Sequence, residues 1–172
     1  MELTKEYVRS LFDYDPVTGN LLWKVQKSLS VKIGSAVGAI RGKGYRETTI
    51  DNRHSSVHRL VWIWHNGSIP KGQEIDHLNH ERADNRIENL RCVSRQDNLR
   101  NASRYSTNKS GRTGVWFDKI GKRWIAHITI DGRFRYLGSF RKKNLAVKCR
   151  EEAERDYGFH TNHGQSRNST LL

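Results

Sequence analysis

From Asn101 to Gly111 the chain reads NASRYSTNKSG, a polar run with no apolar periodicity, and this run divides 172 residues into two pieces. Neither piece is long enough for a large core, and only 35% of the residues are hydrophobic. The expectation is an α+β chain of two small units. The first covers residues 1–102, a linker covers 103–110, the second unit covers 111–164 and a polar tail covers 165–172.

The charge is as uneven as the hydrophobicity. The chain carries 31 Lys+Arg against 18 Asp+Glu, a formal net charge of +13. Residues 1–75 hold +4, residues 76–100 are neutral, residues 101–143 hold +9 and residues 144–172 are neutral. An excess concentrated in this way is an electrostatic footprint for a polyanion, with nucleic acid ahead of an anionic membrane. No stretch approaches the roughly 18 consecutive apolar residues of a membrane span. The N-terminus lacks an apolar signal core. Two cysteines, Cys92 and Cys149, cannot build a zinc ribbon or a disulfide framework, and read as reduced thiols of a cytoplasmic chain.

Periodicity places the elements. Leu3, Tyr7, Val8 and Leu11 predict a helix with Thr4 as its cap. Asp13 to Asn20 is turn-rich, Leu21–Val25 and Tyr45–Ile50 read as strands, and four glycines make residues 34–44 loop-rich. Val57, Leu60, Val61 and Trp64 recur at helical spacing after a Ser55 or Ser56 cap, and Gly67 ends that helix. Short strands follow at 74–77 and 90–93, then a helix from Arg95 to about Ala102 opened by Ser94 and Asp97. Beyond the polar run come strands at 114–118, 124–130 and 134–140, with Asp131-Gly132 as a hairpin turn, and a helix over 144–157. The chain from Gly158 on is expected to fray.

The segment Ile75 to Asn98 (IDHLNHERADNRIENLRCVSRQDN) carries the chemistry. Asp76 and the Asn98 carbonyl are oxygen donors for a divalent ion, whose shell phosphate and water complete. The His77 imidazole can take a proton from water near neutral pH. Metal and base together suffice to hydrolyse a phosphodiester. His80, Asn85 and Arg86 read as loop surface, His58 and His65 as packing or solvent-facing residues of their helix, and Arg91, Arg95 and Arg100 as candidate phosphate contacts, each taken alone reading as an ordinary solvated arginine. The pattern DH…ENLR…V-S over residues 55–102 resembles the HNH nuclease family and its ββα-metal site. That resemblance implies Asp76 on the metal, His77 as general base, and Asn89 bracing the loop and orienting the base. Asn98 matches the third family position, often a histidine, and favours Mg²⁺ or Mn²⁺, one per site, over Zn²⁺. Val57-His58-Arg59-Leu60-Val61 resembles the helix before this motif in phage and intron homing nucleases.

In the second unit, Trp124, Ala126, Ile128 and Ile130 alternate with Ile125, His127 and Thr129, so one face of a three-stranded antiparallel sheet packs on one helix and the other stays open. Gly114, Val115, Trp124, Ala126, Ile128, Tyr136, Leu137, Gly138 and Phe140 follow an order that resembles the plant APETALA/ethylene-response-factor DNA-binding domain. Trp116 and Asp118 stand where that family has arginines, so its sequence preference does not transfer. Trp116, His127 and Tyr136 are the expected groove contacts, with core packing as the alternative for Trp116 and Tyr136, and Arg112, Lys122, Arg123, Arg133 and Arg135 are expected on phosphates or bases.

Together these resemblances imply a monomeric, phage- or intron-type homing endonuclease that nicks double-stranded DNA, with no protein partner evident. The rival readings are a DNA-binding regulator with the motif as a scaffold, and an RNA-directed basic protein.

Overall fold

The computed structural model describes residues 3–104 and 107–164; the expected tail 165–172 and part of the expected linker lie outside the described residues. The fold is mixed α+β, built of small antiparallel sheets and helices, as expected. It clusters into two compact units, Met1–Arg95 and Gln96–Leu172. The division therefore falls just after the second short strand of the motif, ahead of the polar run. Hydrogen bonding explains why: the amides of His160 and Gly164 donate to the carbonyls of Arg100 and Ala102 at 3.2 and 2.9 Å, tying residues 100–102 to the end of the chain.

In the first unit, helix α1 (Lys5–Leu11) is capped by Thr4, whose hydroxyl accepts from the Tyr7 amide at 3.2 Å. Strands β1 (Phe12–Asp15) and β2 (Asn20–Trp23) form a hairpin. The sequence reading took residues 13–15 into a turn; Phe12 and Tyr14, two apart and paired with Trp23 and Leu21, extend the strand into them. Strands β3 (Ala39–Arg41), β4 (Tyr45–Ile50) and β5 (Arg53–Ser56) make a meander, and β5 contains no apolar residue that would mark it in a sequence. Helix α2 (Val57–Asn66) buries Val57, Leu60 and Val61 completely. Ser56 occupies its cap position without a side-chain capping bond, and Gly67 closes it at φ 92°. Strands β6 (Gln73–His77) and β7 (Leu90–Ser94) pair antiparallel, with Asp76 opposite Arg91 and His77 opposite Leu90. Ile75, Leu90 and α2 share one core with Phe12, Leu21 and Trp23.

Helix α3 (Arg95–Arg100) follows β7 directly and ends two residues before the expected Ala102. In the second unit β8 (Val115–Asp118), β9 (Arg123–Ile130) and β10 (Arg133–Phe140) form a sheet in the order β10-β9-β8. Asp131 (φ 51°) and Gly132 (φ 73°) make the two-residue turn, both with the positive φ that such a turn demands. Helix α4 (Lys143–Asp156) sets Ala146 and Ala153 against Ala126, Ile128 and Ile130. The chain after Gly158 is packed, at least to Gly164, because Phe159 joins the core and His163 is buried.

The β1–β2 hairpin also holds the loop that precedes β7. The Tyr14 hydroxyl accepts from the Ile87 amide at 2.9 Å. Gly19 (φ 71°) leaves no room for a side chain, since a Cβ there would stand 2.3 Å from the Arg86 nitrogen and 2.6 Å from the Asn85 carbonyl carbon. Gly19→Ala is therefore expected to lower unfolding stability by about 1–3 kcal/mol, read by urea denaturation, through both strain and displacement of residues 85–86.

Candidate functional site

Alternation along β6 sends Ile75 and His77 toward α2 and Asp76 to the other face of the β6–β7 ribbon. On that outer face the Asp76 carboxylate, 11% exposed, accepts from Nε and Nη2 of Arg91 at 3.0 and 2.8 Å, both on Oδ2. Arg91 is thus no ordinary solvated arginine; it is fixed by its cross-strand partner. A carboxylate so placed already holds a cation.

His77 is 4% exposed. Its ring lies 5.0 Å from the His58 ring and 5.9 Å from the Tyr45 ring, and Tyr45 carries the Arg82 guanidinium 4.6 Å above it. Burial pushes the His77 pKa down from the usual imidazole value, opposed by its hydrogen bond with Asn85 and by the nearby Asp76 and Asp84 carboxylates. The ring is therefore neutral at physiological pH and able to accept a proton. His58 is more extreme: burial, with His77 and Arg59 close by, pushes it down to about 3.

Between β6 and β7 the chain has few apolar anchors, and polar side chains hold it. Asn89, which forms a 3-10 turn with Ile87 and Glu88, accepts from the Asn79 amide at 3.0 Å and donates to the Asp84 carbonyl at 2.8 Å. Asp84 takes Nε and Nη2 of Arg86 at 2.8 and 2.7 Å and the Asn79 amide group at 2.8 Å, and these bonds, Arg86 foremost, hold its carboxyl below the usual range. Asn85, expected on the surface, is 1% exposed and its Oδ1 lies 3.0 Å from His77 Nε2. A surface-loop reading fails here because a loop without apolar anchors can only fold onto its unit by burying polar groups. His58, expected as packing, is indeed buried, but against the catalytic candidate.

Asn98 lies half-buried on α3, in the second unit. Among the described residues no three His, Cys, Asp or Glu side chains gather where they would hold a metal ion. The donors on offer are hard oxygens in small number, which fits an ion such as Mg²⁺ that keeps water and substrate oxygens in its shell.

The second unit's sheet shows the expected two faces. Trp116, Ile125, His127, Thr129, Phe134 and Tyr136 share the open face by register. Trp116 meets His127 edge-on at 4.9 Å and Phe134 stacks on it at 4.8 Å and 18°. Phe134, which the sequence did not suggest as a contact, is 60% exposed; its place two residues before Tyr136 is the signal that marks it. Arg123 is on this face, its Nη2 bonded to the Ser139 carbonyl at 3.0 Å, and Lys122 is exposed in the turn before it. Arg133 and Arg135 pair with Ile130 and Ile128 and so project on the α4 side, where Arg135 meets the Tyr157 hydroxyl at 3.4 Å. Arg112 is held in ion pairs with Glu154 and, at 3.7 Å, Glu151.

Residues 55–100 match the family model described as HNH endonuclease, which spans α2, β6, β7 and α3. Protein 3.8 of Escherichia phage T7 is 32% identical over 88 residues, covering 51% of this chain and 70% of that protein. The chain belongs to one family with that phage protein, and residues 55–100 are its HNH endonuclease domain. The Uncharacterized gene 5.3 protein of Enterobacteria phage T3 is 39% identical over 49 residues, covering 28% of this chain and 48% of that protein. The solved structure of the HNH homing endonuclease I-HmuI, from work on its DNA binding and cleavage, aligns over 80% of this chain and 75% of its own, at 20% identity and a TM-score of 0.39. Among the described residues no helix is long and apolar enough to cross a membrane.

The burial of His58 sets a pH dependence. Between the ordinary pKa of 6.5 and about 3, the unfolded chain takes up a proton at residue 58 that the folded chain refuses. Stability from this residue is complete above about pH 6.5 and falls as pH drops toward 3, by up to about 1.4 kcal/mol per pH unit. His77 contributes with the same sign. His58→Phe is expected to flatten the slope by that one-proton share, measured by urea unfolding at a series of pH values.

Proposed function

We propose that this chain is a metal-dependent DNA endonuclease of the HNH homing type, in which residues 55–102 cut and residues 110–164 hold double-stranded DNA. The observation that carries the reading is His77: a buried, neutral imidazole adjacent to an outward carboxylate, inside a domain of the HNH family. In this reading His77 takes a proton from water as the water oxygen bonds to phosphorus. The bond from phosphorus to the 3′ oxygen breaks, and that oxygen takes a proton from solvent to give a 3′ hydroxyl, leaving a 5′ phosphate. Asp76 holds the divalent ion, and Asn98 enters as a second oxygen donor on its place in the motif alone. The bound ion supplies charge neutralisation at the phosphate and at the leaving oxygen.

Binding is assigned to the open sheet face of the second unit, an APETALA/ethylene-response-factor-like arrangement. Trp116, His127 and Tyr136 offer it ring surface, and Lys122 and Arg123 offer charge. Arg112, Arg133 and Arg135 contribute to the field of the 101–143 segment from the other side of the sheet. The relatives being phage proteins, the place of action in this reading is the bacterial host cell, and one chain makes one nick.

A second reading, a non-cutting DNA-binding regulator, is favoured by one observation: Arg91 engages Asp76 through two nitrogens. Plasmid nicking separates the two. Supercoiled phage or host DNA is expected to be nicked with Mg²⁺ and left intact with EDTA, and His77→Ala is expected to abolish nicking while binding persists. Specific binding without cleavage of any such DNA gives the second reading. Arg123→Gln is expected to weaken binding across sequences and to reduce the slope of log affinity against log salt by about 1.

A further inference from the structure

Two asparagines serve the loop between β6 and β7, and they do different things. Asn89 has both amide atoms on backbone groups, Oδ1 on the Asn79 amide and Nδ2 on the Asp84 carbonyl. Both bonds go to the loop's own backbone, which Asn89 shapes. Asn85 puts its Oδ1 3.0 Å from His77 Nε2, and both side chains are buried. We infer that Asn85, and not Asn89, is the residue that fixes the orientation and the tautomer of His77.

An amide oxygen carries no hydrogen, so this contact is a hydrogen bond only if Nε2 bears the proton and donates it. The in-plane lone pair of the neutral ring is then on Nδ1, which makes Nδ1 the basic nitrogen. A turned amide would reverse the assignment, because Nδ2 would donate to Nε2 and Nδ1 would carry the hydrogen. The amide of Asn85 therefore decides which nitrogen of His77 is basic.

The position of Asn85 is itself held. Its neighbour Asp84 is tied to Arg86 and Asn79, the Ile87 amide is held by the Tyr14 hydroxyl, and Gly19 lies close against the Asn85–Arg86 peptide. On the other side the ring meets His58 edge-on at 65°. The imidazole is thus fixed at Nε2 and along one edge, which removes rotation about the side-chain bonds. Asn85 is a positioning residue that acts through His77.

The tautomer is a property of the folded chain, and only the effect on cleavage rests on the nuclease reading. The test is a long-range ¹H–¹⁵N spectrum of the histidine rings of the full chain near pH 8 without metal, with His77 assigned through His77→Gln. Wild type is expected to show the Nε2–H form of His77. Asn85→Asp, which keeps an accepting oxygen, is expected to preserve it, and Asn85→Ala to give a mixture. In nicking assays Asn85→Ala is expected to lower kcat roughly 10–100-fold with little change in KM for DNA, the usual scale for losing a group that orients a functional histidine. A wild-type His77 mainly in the Nδ1–H form overturns the inference, and so does an Asn85→Ala protein that keeps the wild-type tautomer or the wild-type kcat. If Asn85→Ala does not fold, the wild-type spectrum alone decides. A wild type that cuts no DNA, yet loses the Nε2–H form in Asn85→Ala, refutes the nuclease and upholds the role of Asn85.

Discussion

An imidazole placed inside a small unit has to be satisfied there, and the first unit is arranged around that demand at His77. Taking the ring out of water disfavours its charged form, so it stays neutral, and a neutral ring still has one N–H that needs an acceptor. Asn85 supplies the acceptor at 3.0 Å. Bringing Asn85 to that place requires the loop between β6 and β7 to fold inward, although it offers few apolar side chains to draw it in. The loop is instead held by polar contacts from Asn79, Asp84 and Asn89 and by the close approach of Gly19 on a hairpin some 65 residues earlier in the chain. The β1–β2 hairpin is in this sense part of the site.

The same demand explains what could be read in the sequence. Elements that bury apolar residues at a regular period were legible: α2 from Val57, Leu60, Val61 and Trp64, the sheet of the second unit from Ala126, Ile128 and Ile130, and α4 from its spacing of small residues. The motif positions Asp76, His77 and Asn89 stand out in the sequence by their spacing, and Asn89 bonds to the backbone at residues 79 and 84. Elements without apolar content were not: β5 is Arg-His-Ser-Ser and leaves no hydrophobic trace. Nor were residues whose burial is driven by a partner. Asn85 is polar in a polar loop, and only the histidine it meets puts it inside. Arg91 and Arg112 look like free surface charge in a sequence, because an ion pair depends on register and on helix position, and neither has a local pattern.

Arg112 shows where that blindness matters most. The second unit holds most of the excess positive charge, but part of it serves the fold. Arg112 and Arg150 close on Glu154, and His163 lies 3.8 Å from the same carboxylate. Burial pushes the Glu154 pKa up, against the pull of Arg150 and Arg112. Such a cluster costs desolvation that its attractions must offset, so removing one member leaves the others buried and unbalanced. Charge counted along the chain therefore overstates what the sheet offers to a polyanion.

What remains for the partner is defined by faces. Register divides the sheet's arginines, sending Arg123 to the open side and Arg133 and Arg135 to the α4 side. The open side is dominated by rings, with His127 in contact with both Trp116 and Phe134 and paired across the strands with Tyr136. Rings contribute through contact area and charges through long-range attraction, which salt weakens. In the nuclease reading a surface of this kind holds DNA by an attraction that acts at a distance and a fit that acts at contact. In that reading cutting is left to a segment, residues 76–100, with no net charge, where the buried His77 imidazole and the Asp76 carboxylate supply the chemistry.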